Sequence, residues 1–144
     1  MYFIVTAKYD KLQENGLVKP VKEQYLFDCI SFVEAETRAI EELTPFISGE
    51  FTIDAIKRSR ISEIFNPDSD KFYLAKVGFV TLDEKAGVEK RTISQILVGA
   101  NDFDTALQIF KEGMSGTLAD YEVVSLSESQ ILEYFPFKSL SDSE

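Results

Sequence analysis

The sequence predicts an α+β protein made of two tandem ββαβ repeats, each an antiparallel sheet with one helix on a face, packed with pseudo-twofold symmetry. Three observations predict it: an internal repeat at an offset of 70 residues, alternating apolar residues in the expected strands, and helix-capping residues in both halves. Without a gap, residues 2–65 then lie over residues 72–135, and the apolar positions coincide better than the identities do. The offset therefore indicates two copies of one fold.

Each repeat opens with two strands joined by a tight turn. The apolar face of the first strand superposes on that of its counterpart, with Phe3, Val5, Ala7 and Tyr9 over Tyr73, Ala75, Val77 and Phe79. Asn15-Gly16 is a dipeptide that accepts positive φ in a hairpin, and Lys85-Ala86-Gly87 occupies the same place in the second half.

A helix and a third strand follow in each repeat. Ser31 and Glu34 have the spacing of a capping box and predict a helix to about Leu43, and Asn101 to Asp104 opens its counterpart. We expect third strands over 51–57 and 121–127, and short helical turns over 62–65 and 131–135.

The domain organisation follows from these elements. We expect a first repeat over 1–66, a polar, turn-prone linker over 67–71, a second repeat over 72–137 and a disordered acidic tail over 138–144. The two repeats are expected to form one compact unit.

Composition excludes several classes of site. The 144-residue chain has no His and one Cys, so zinc centres built on His or thiolate clusters and catalytic triads that need His are excluded. Phosphate-binding glycine loops are absent, and we expect no cofactor and no metal. Cys29 lies in an apolar run and is expected to be a small buried hydrophobe, and the lack of an export signal predicts a reducing cytoplasm and no membrane span.

One face of the sheets is unexpectedly apolar. The phase of the opening strands opposite the helix carries Tyr2, Ile4, Phe72 and Leu74, where an exposed sheet would be polar. Packing of one repeat on the other, a homodimer or a ligand groove would each cover these side chains.

Five stretches of sequence resemble a known family. The chain is similar to the family known as domain of unknown function 4494 in residues 31–36, 47–53, 56–65, 83–91 and 112–117. The resemblance covers residues 1 to about 137 and implies an origin in Bacteroides-type bacteria, their mobile elements or their phages. It implies no activity for any residue.

Three functions remain open. The leading one is a non-catalytic interaction module, an accessory protein of a phage or mobile element, that binds a protein partner through a sheet face or edge as a monomer or homodimer. The alternative is a single-stranded nucleic-acid binder that uses Lys57, Arg58 and Arg60, which the net charge of -10 disfavours. An enzyme is the third, and it would need Asp54, which interrupts an apolar strand, together with further carboxylates.

Overall fold

The computed structural model describes residues 1–138 and confirms the α+β fold. Two helices and eight strands occur in these residues, in the order β1 (Tyr2–Leu12), β2 (Val18–Asp28), α1 (Phe32–Leu43), β3 (Phe51–Arg58), β4 (Ile61–Phe65), β5 (Phe72–Asp83), β6 (Val88–Gly99), α2 (Phe103–Met114), β7 (Tyr121–Glu128) and β8 (Ile131–Phe135). Both halves have the same succession of elements. The predicted acidic tail over 138–144 lies, apart from Lys138, outside the described residues.

The strands form two four-stranded sheets, β3-β1-β2-β8 and β4-β6-β5-β7. Three strands of each sheet are antiparallel, and the fourth runs parallel to the second strand of the hairpin. The prediction of helical turns over 62–65 and 131–135 was wrong, because these segments are β4 and β8. A five-residue apolar run does not distinguish a strand from a helical turn by its period, and the buried Ile131 and Phe135, four residues apart, fit both.

The last strand of each repeat joins the sheet of the other repeat. Within its own repeat, β4 would take the place that β8 occupies, beside β2 and parallel to it. It would then also run parallel to β3, because β2 and β3 are each antiparallel to β1. Parallel strands of one sheet need a connection of about a dozen residues or more. Only Ser59 and Arg60 connect β3 to β4, and only Ser129 and Gln130 connect β7 to β8. The short connections therefore exclude pairing within the repeat.

Two compact units result from this exchange. One comprises Met1–Ser59 together with the chain from Gln130 on, and the other comprises Arg60–Ser129. The units thus differ from the repeats of the sequence by their exchanged last strands. The second unit is one continuous segment, whereas the first is interrupted by it.

The offset between equivalent residues changes along the repeat. It is 70 residues between the starts of β3 and β7 and of β4 and β8, but 71 between the helix N-caps Ser31 and Asp102. The second hairpin is one residue longer, and the loop after its helix is one residue shorter. The second N-cap is therefore Asp102, whose side chain accepts a hydrogen bond from Thr105 N at 2.8 Å.

The predicted local signals are present. Ser31 accepts a hydrogen bond from Glu34 N at 3.1 Å, and the Glu34 carboxylate accepts one from Ile30 N at 3.1 Å. Gly16 has φ of 84° and Gly87 has φ of 65°, so both turns use the left-handed region that favours glycine.

Each unit has its own apolar core between its sheet and its helix. In the first unit, residues of β1, β2 and α1 pack with Phe135 of β8, whose ring stacks on Phe27 at 4.5 Å between centroids. In the second unit, residues of β5, β6 and α2 pack with the half-buried Phe65 of β4. Cys29 is fully buried, as predicted.

Candidate functional site

The strand β3 lies at an edge of the first unit's sheet. Within residues 1–138 its strand neighbour is β1, so the backbone groups on its other side are not used by the sheet. Such an edge is a template for pairing with another chain.

A β-bulge in this edge strand explains the position of Asp54. Ala55 opposes Thr6 and Ile53 opposes Ala7, which leaves Asp54 without a residue opposite it. The same register shift leaves Val124 unpaired in β7, so the bulge belongs to the fold.

The carboxylate of Asp54 forms an ion pair with Lys22 Nζ at 3.2 Å. In the part of the chain that the structure describes, no group of three or more Cys, Asp or Glu residues could hold a metal ion. A metal-binding group of this size is therefore not found around Asp54 among the described residues.

Helix α1 packs beside β3 and forms one wall of a groove with it. A depression of about 890 Å³ lies between the C-terminal half of α1 and the start of β3, and one of about 420 Å³ lies between its N-terminal half and residues 53–56. Glu36 and Ile53 line both depressions, so the two are adjacent. We call the two depressions together the β3 groove.

The helical wall of the β3 groove carries exposed apolar side chains. Val33 is 77% exposed and Ile40 is 48% exposed. Both lie outside the buried stripe of Ala35, Ala39 and Leu43, which faces the sheet. Large exposed apolar side chains beside an unpaired strand edge are typical of an interaction surface.

The second unit shows that the fold does not require these apolar residues. At the offset of 71 found for the helices, Asp104 replaces Val33 and Lys111 replaces Ile40. Both charged residues are exposed on α2. Val33 and Ile40 are therefore particular to the first unit.

The larger depression of the β3 groove is acidic. Asp10, Glu36 and Glu50 line the larger depression together with one cation, Lys8. Among residues 1–138, none of the three carboxylates has an ammonium or guanidinium partner within 4.0 Å. The groove thus combines an unpaired backbone edge, apolar side chains and uncompensated negative charge.

The opposite face of the first sheet has a further depression of about 510 Å³, lined in part by Glu23. The Tyr9 hydroxyl donates a hydrogen bond to the Glu23 carboxylate, and burial raises the pKa of that carboxyl group. Burial also raises the pKa of Tyr25 to about 12, with a smaller contribution from the Glu23 charge. Both pKa shifts are properties of packed side chains.

Cys29 and Arg38 form the most buried polar pair of the first unit. Arg38 Nη1 donates to the Asp28 carbonyl oxygen at 3.1 Å and lies 3.8 Å from Cys29 Sγ, while Arg38 Nη2 lies 3.8 Å from Glu42. Burial raises the pKa of the Cys29 thiol, against the opposing effect of the Arg38 charge. Burial in apolar surroundings of this kind is typical of structural cysteines.

The four residues of the predicted interaction face are largely buried. Phe72 is fully buried, and Tyr2, Ile4 and Leu74 are partly buried. The Tyr2 ring packs edge-on against Tyr134 at 6.2 Å between centroids. These positions offer little open surface.

The three predicted nucleic-acid-binding residues fall into different settings. Lys57 and Arg58 are exposed at the end of β3, and Arg60 is exposed in the connection to β4, in the second unit. Because successive residues of a strand point to opposite faces, Lys57 and Arg58 diverge. Their adjacency in the sequence therefore does not make a basic patch on one face of the sheet.

Sequence reasoning missed the β3 groove. The available signal was the position of Val33 and Ile40, which fall outside the core-facing stripe of the helix and should be polar on a solvated face. The edge position of β3 could not be predicted, since strand order depends on distant pairing.

The comparisons with known proteins give one match. The family model described as Domain of unknown function (DUF4494) matches residues 1–137. No curated protein and no solved structure matches the chain. No helix within residues 1–138 has the length and apolar character needed to cross a membrane.

Proposed function

Since this chain belongs to the family Domain of unknown function (DUF4494), whose description names no activity, we propose its function from the β3 groove. The protein is a non-catalytic interaction module that binds an extended segment of a partner protein by strand addition to β3. In this binding mode, main-chain hydrogen bonds provide affinity and side-chain pockets beside the edge provide specificity.

The observation that carries this proposal is the exposure of Val33 and Ile40 beside an edge strand. An added strand on β3 would place alternate side chains toward α1, where these two residues lie. Burying them would contribute about 25 cal/mol for each Å² of apolar surface removed from water.

The cellular setting remains part of the proposal. The resemblance of the sequence supports an accessory role in a phage or mobile element of a Bacteroides-type bacterium, and the buried free thiol of Cys29 is compatible with a reducing cytoplasm. The protein would act there as a monomer or homodimer.

Nucleic-acid binding has less support than strand addition. The divergent directions of Lys57 and Arg58 and the net charge of -10 both oppose a continuous cationic track. Fluorescence anisotropy of a labelled single-stranded oligonucleotide at low salt tests this alternative directly, and binding that Arg58→Glu abolishes would favour it over the β3 groove.

A peptide-display selection on the purified protein tests the proposed function. Peptides that bind by strand addition should bind at least tenfold more weakly to the double variant V33D/I40K, whose new side chains are those that α2 carries at the equivalent positions. This variant leaves the net charge unchanged. The matched control is Leu12→Gln, which replaces a 69% exposed apolar residue at the end of β1 and also leaves the net charge unchanged.

A second readout identifies the backbone contribution. A selected peptide is N-methylated either at its odd-numbered or at its even-numbered residues. One of the two modified peptides should no longer bind and the other should bind unchanged, because only every second N–H group of an added strand faces β3. Peptides that bind V33D/I40K as well as the unmodified protein, or a selection that returns none, would overturn the proposal.

A further inference from the structure

We propose that the natural occupant of the β3 groove is a cationic, strand-forming segment of a different protein, whose groove-facing side chains, at every second position, include both apolar residues and Lys or Arg. This inference rests on the proposed function and adds the chemistry of the partner. It concerns the two walls of the groove and the charge of its larger depression.

The apolar side chains on the two walls of the groove indicate which apolar residues the partner segment carries. Val33 and Ile40 project from α1, and Phe51, Ile53 and Ile56 lie on β3 across the groove. An added strand presents every second side chain to this space. Val, Ile and Leu side chains at alternate positions fit such a surface and also favour the extended backbone.

The negative charge of the groove indicates which charged residues the partner segment carries. Asp10, Glu36 and Glu50 are not neutralised by the described residues, whereas Asp54 is already paired with Lys22 at 3.2 Å. Lys8 is the one cation that lines the larger depression. A Lys or Arg on the incoming strand would face a net negative surface, and Glu or Asp would be repelled.

The negative charge of the groove also distinguishes between the molecules that could bind there. The chain's own last six residues, 139–144, carry Asp142 and Glu144 and no Lys or Arg, so they have the same sign as the groove. A second copy of the chain carries a net charge of -10 and is repelled at long range. A nucleic acid is a polyanion and is excluded from this surface on the same ground. The favoured occupant is therefore a basic segment of another protein.

Three synthetic octapeptides provide the test. All three have threonine at every second position. The other four positions share one face of the strand and carry two valines followed by two lysines, two threonines or two glutamates, and the peptides have the same fluorophore and capped ends. Anisotropy is measured with the full chain at about 20 mM and about 150 mM salt, the range over which exposed charges become screened. We expect the lysine peptide to bind about tenfold more tightly than the threonine peptide at low salt, and the glutamate peptide most weakly.

Two sets of variants assign the result to the groove. The triple variant D10N/E36Q/E50Q should reduce the preference for lysine over threonine to about twofold, and V33D/I40K should weaken the lysine and threonine peptides together. The matched control is E14Q/E41Q/E112Q, which removes the same number of exposed carboxylates from the first hairpin turn, α1 and α2, none of which lines the groove. This control should leave the preference unchanged.

The outcomes distinguish the two proposals. If the lysine and threonine peptides bind equally and both are weakened by V33D/I40K, strand addition at the groove stands and the cationic partner is wrong. If no peptide binds, or if V33D/I40K has no effect, the proposed function itself fails. A lysine preference that survives D10N/E36Q/E50Q would show attraction by the net charge and would overturn the inference.

Discussion

Truncation of Phe135 should destabilise the first unit, although this residue lies near the C-terminal end of the described chain. Phe135 is 7% exposed, and its ring stacks on Phe27 at 4.5 Å and meets Phe46 edge-on at 5.8 Å between centroids. Replacement of a buried Phe by Ala costs about 3–5 kcal/mol, so Phe135→Ala should lower the free energy of unfolding of the first unit by about 4 kcal/mol.

The matched change is Phe65→Ala, at the equivalent position of the first repeat. Phe65 is only half-buried, and its ring centroid lies 6.4 Å from that of Phe110. We therefore expect Phe65→Ala to lower the free energy of unfolding of the second unit by roughly half as much. Because β4 belongs to the second unit, this destabilisation should appear in residues 72–128 and not in the repeat that contains the substitution.

Amide hydrogen exchange followed by mass spectrometry locates the change, since exchange reports local stability segment by segment. In Phe135→Ala, protection should fall in β1, β2 and β3 and persist in β5, β6 and β7. Phe137→Ala, which alters the 49% exposed neighbour, serves as the control and should change protection little. Loss of protection in residues 72–128 on truncation of Phe135 would refute the exchanged topology.

Three further predictions follow from the packing. Gly113→Ala should lower the urea midpoint although Ala is the better helix former, because the new Cβ would lie 2.6 Å from the Phe65 ring; a Phe65→Leu background that did not reverse the sign would contradict this cause. Between pH 10 and about 12 the free energy of unfolding should fall, since Tyr25 and Tyr134 ionise near pH 10 when unfolded and at about 12 when folded, and the double Tyr→Phe variant should show a shallower decline of melting temperature with pH. The fragment 60–129 contains all four strands of its sheet and should fold alone, which circular dichroism and a cooperative thermal transition would show; an unfolded fragment would contradict its independence.

Much of the fold could be predicted because its signals are local. The alternation in β1 and β5, the turn glycines and the capping residues Ser31 and Asp102 each fix structure within a few residues. A repeated local pattern then gives the same elements twice.

The exchange of β4 and β8 could not be predicted from local signals alone. Assigning residues 61–65 as a strand would have been sufficient to suspect it, because the two-residue connection after β3 excludes a parallel neighbour in the same sheet. If residues 61–65 are assigned as a helical turn, there is no fourth strand to place, and the length of the connection excludes nothing.

The β3 groove depends on both kinds of information. Exposed Val33 and Ile40 could be recognised from the helical period, but only strand order shows that they lie beside an open edge. The predicted sites at Lys57, Arg58 and Arg60 rested on adjacency in the sequence, and strand geometry separates their side chains.

The interrupted first unit gives an order of events during synthesis by the ribosome. The strands of the second unit have all been made once residue 128 is added, whereas the first unit still lacks β8 until residues 131–135 follow. Until then Phe27 lacks the ring that stacks on it, and β2 has an unpaired edge that another nascent chain could join. The unit that the ribosome begins first is thus the unit that it completes last.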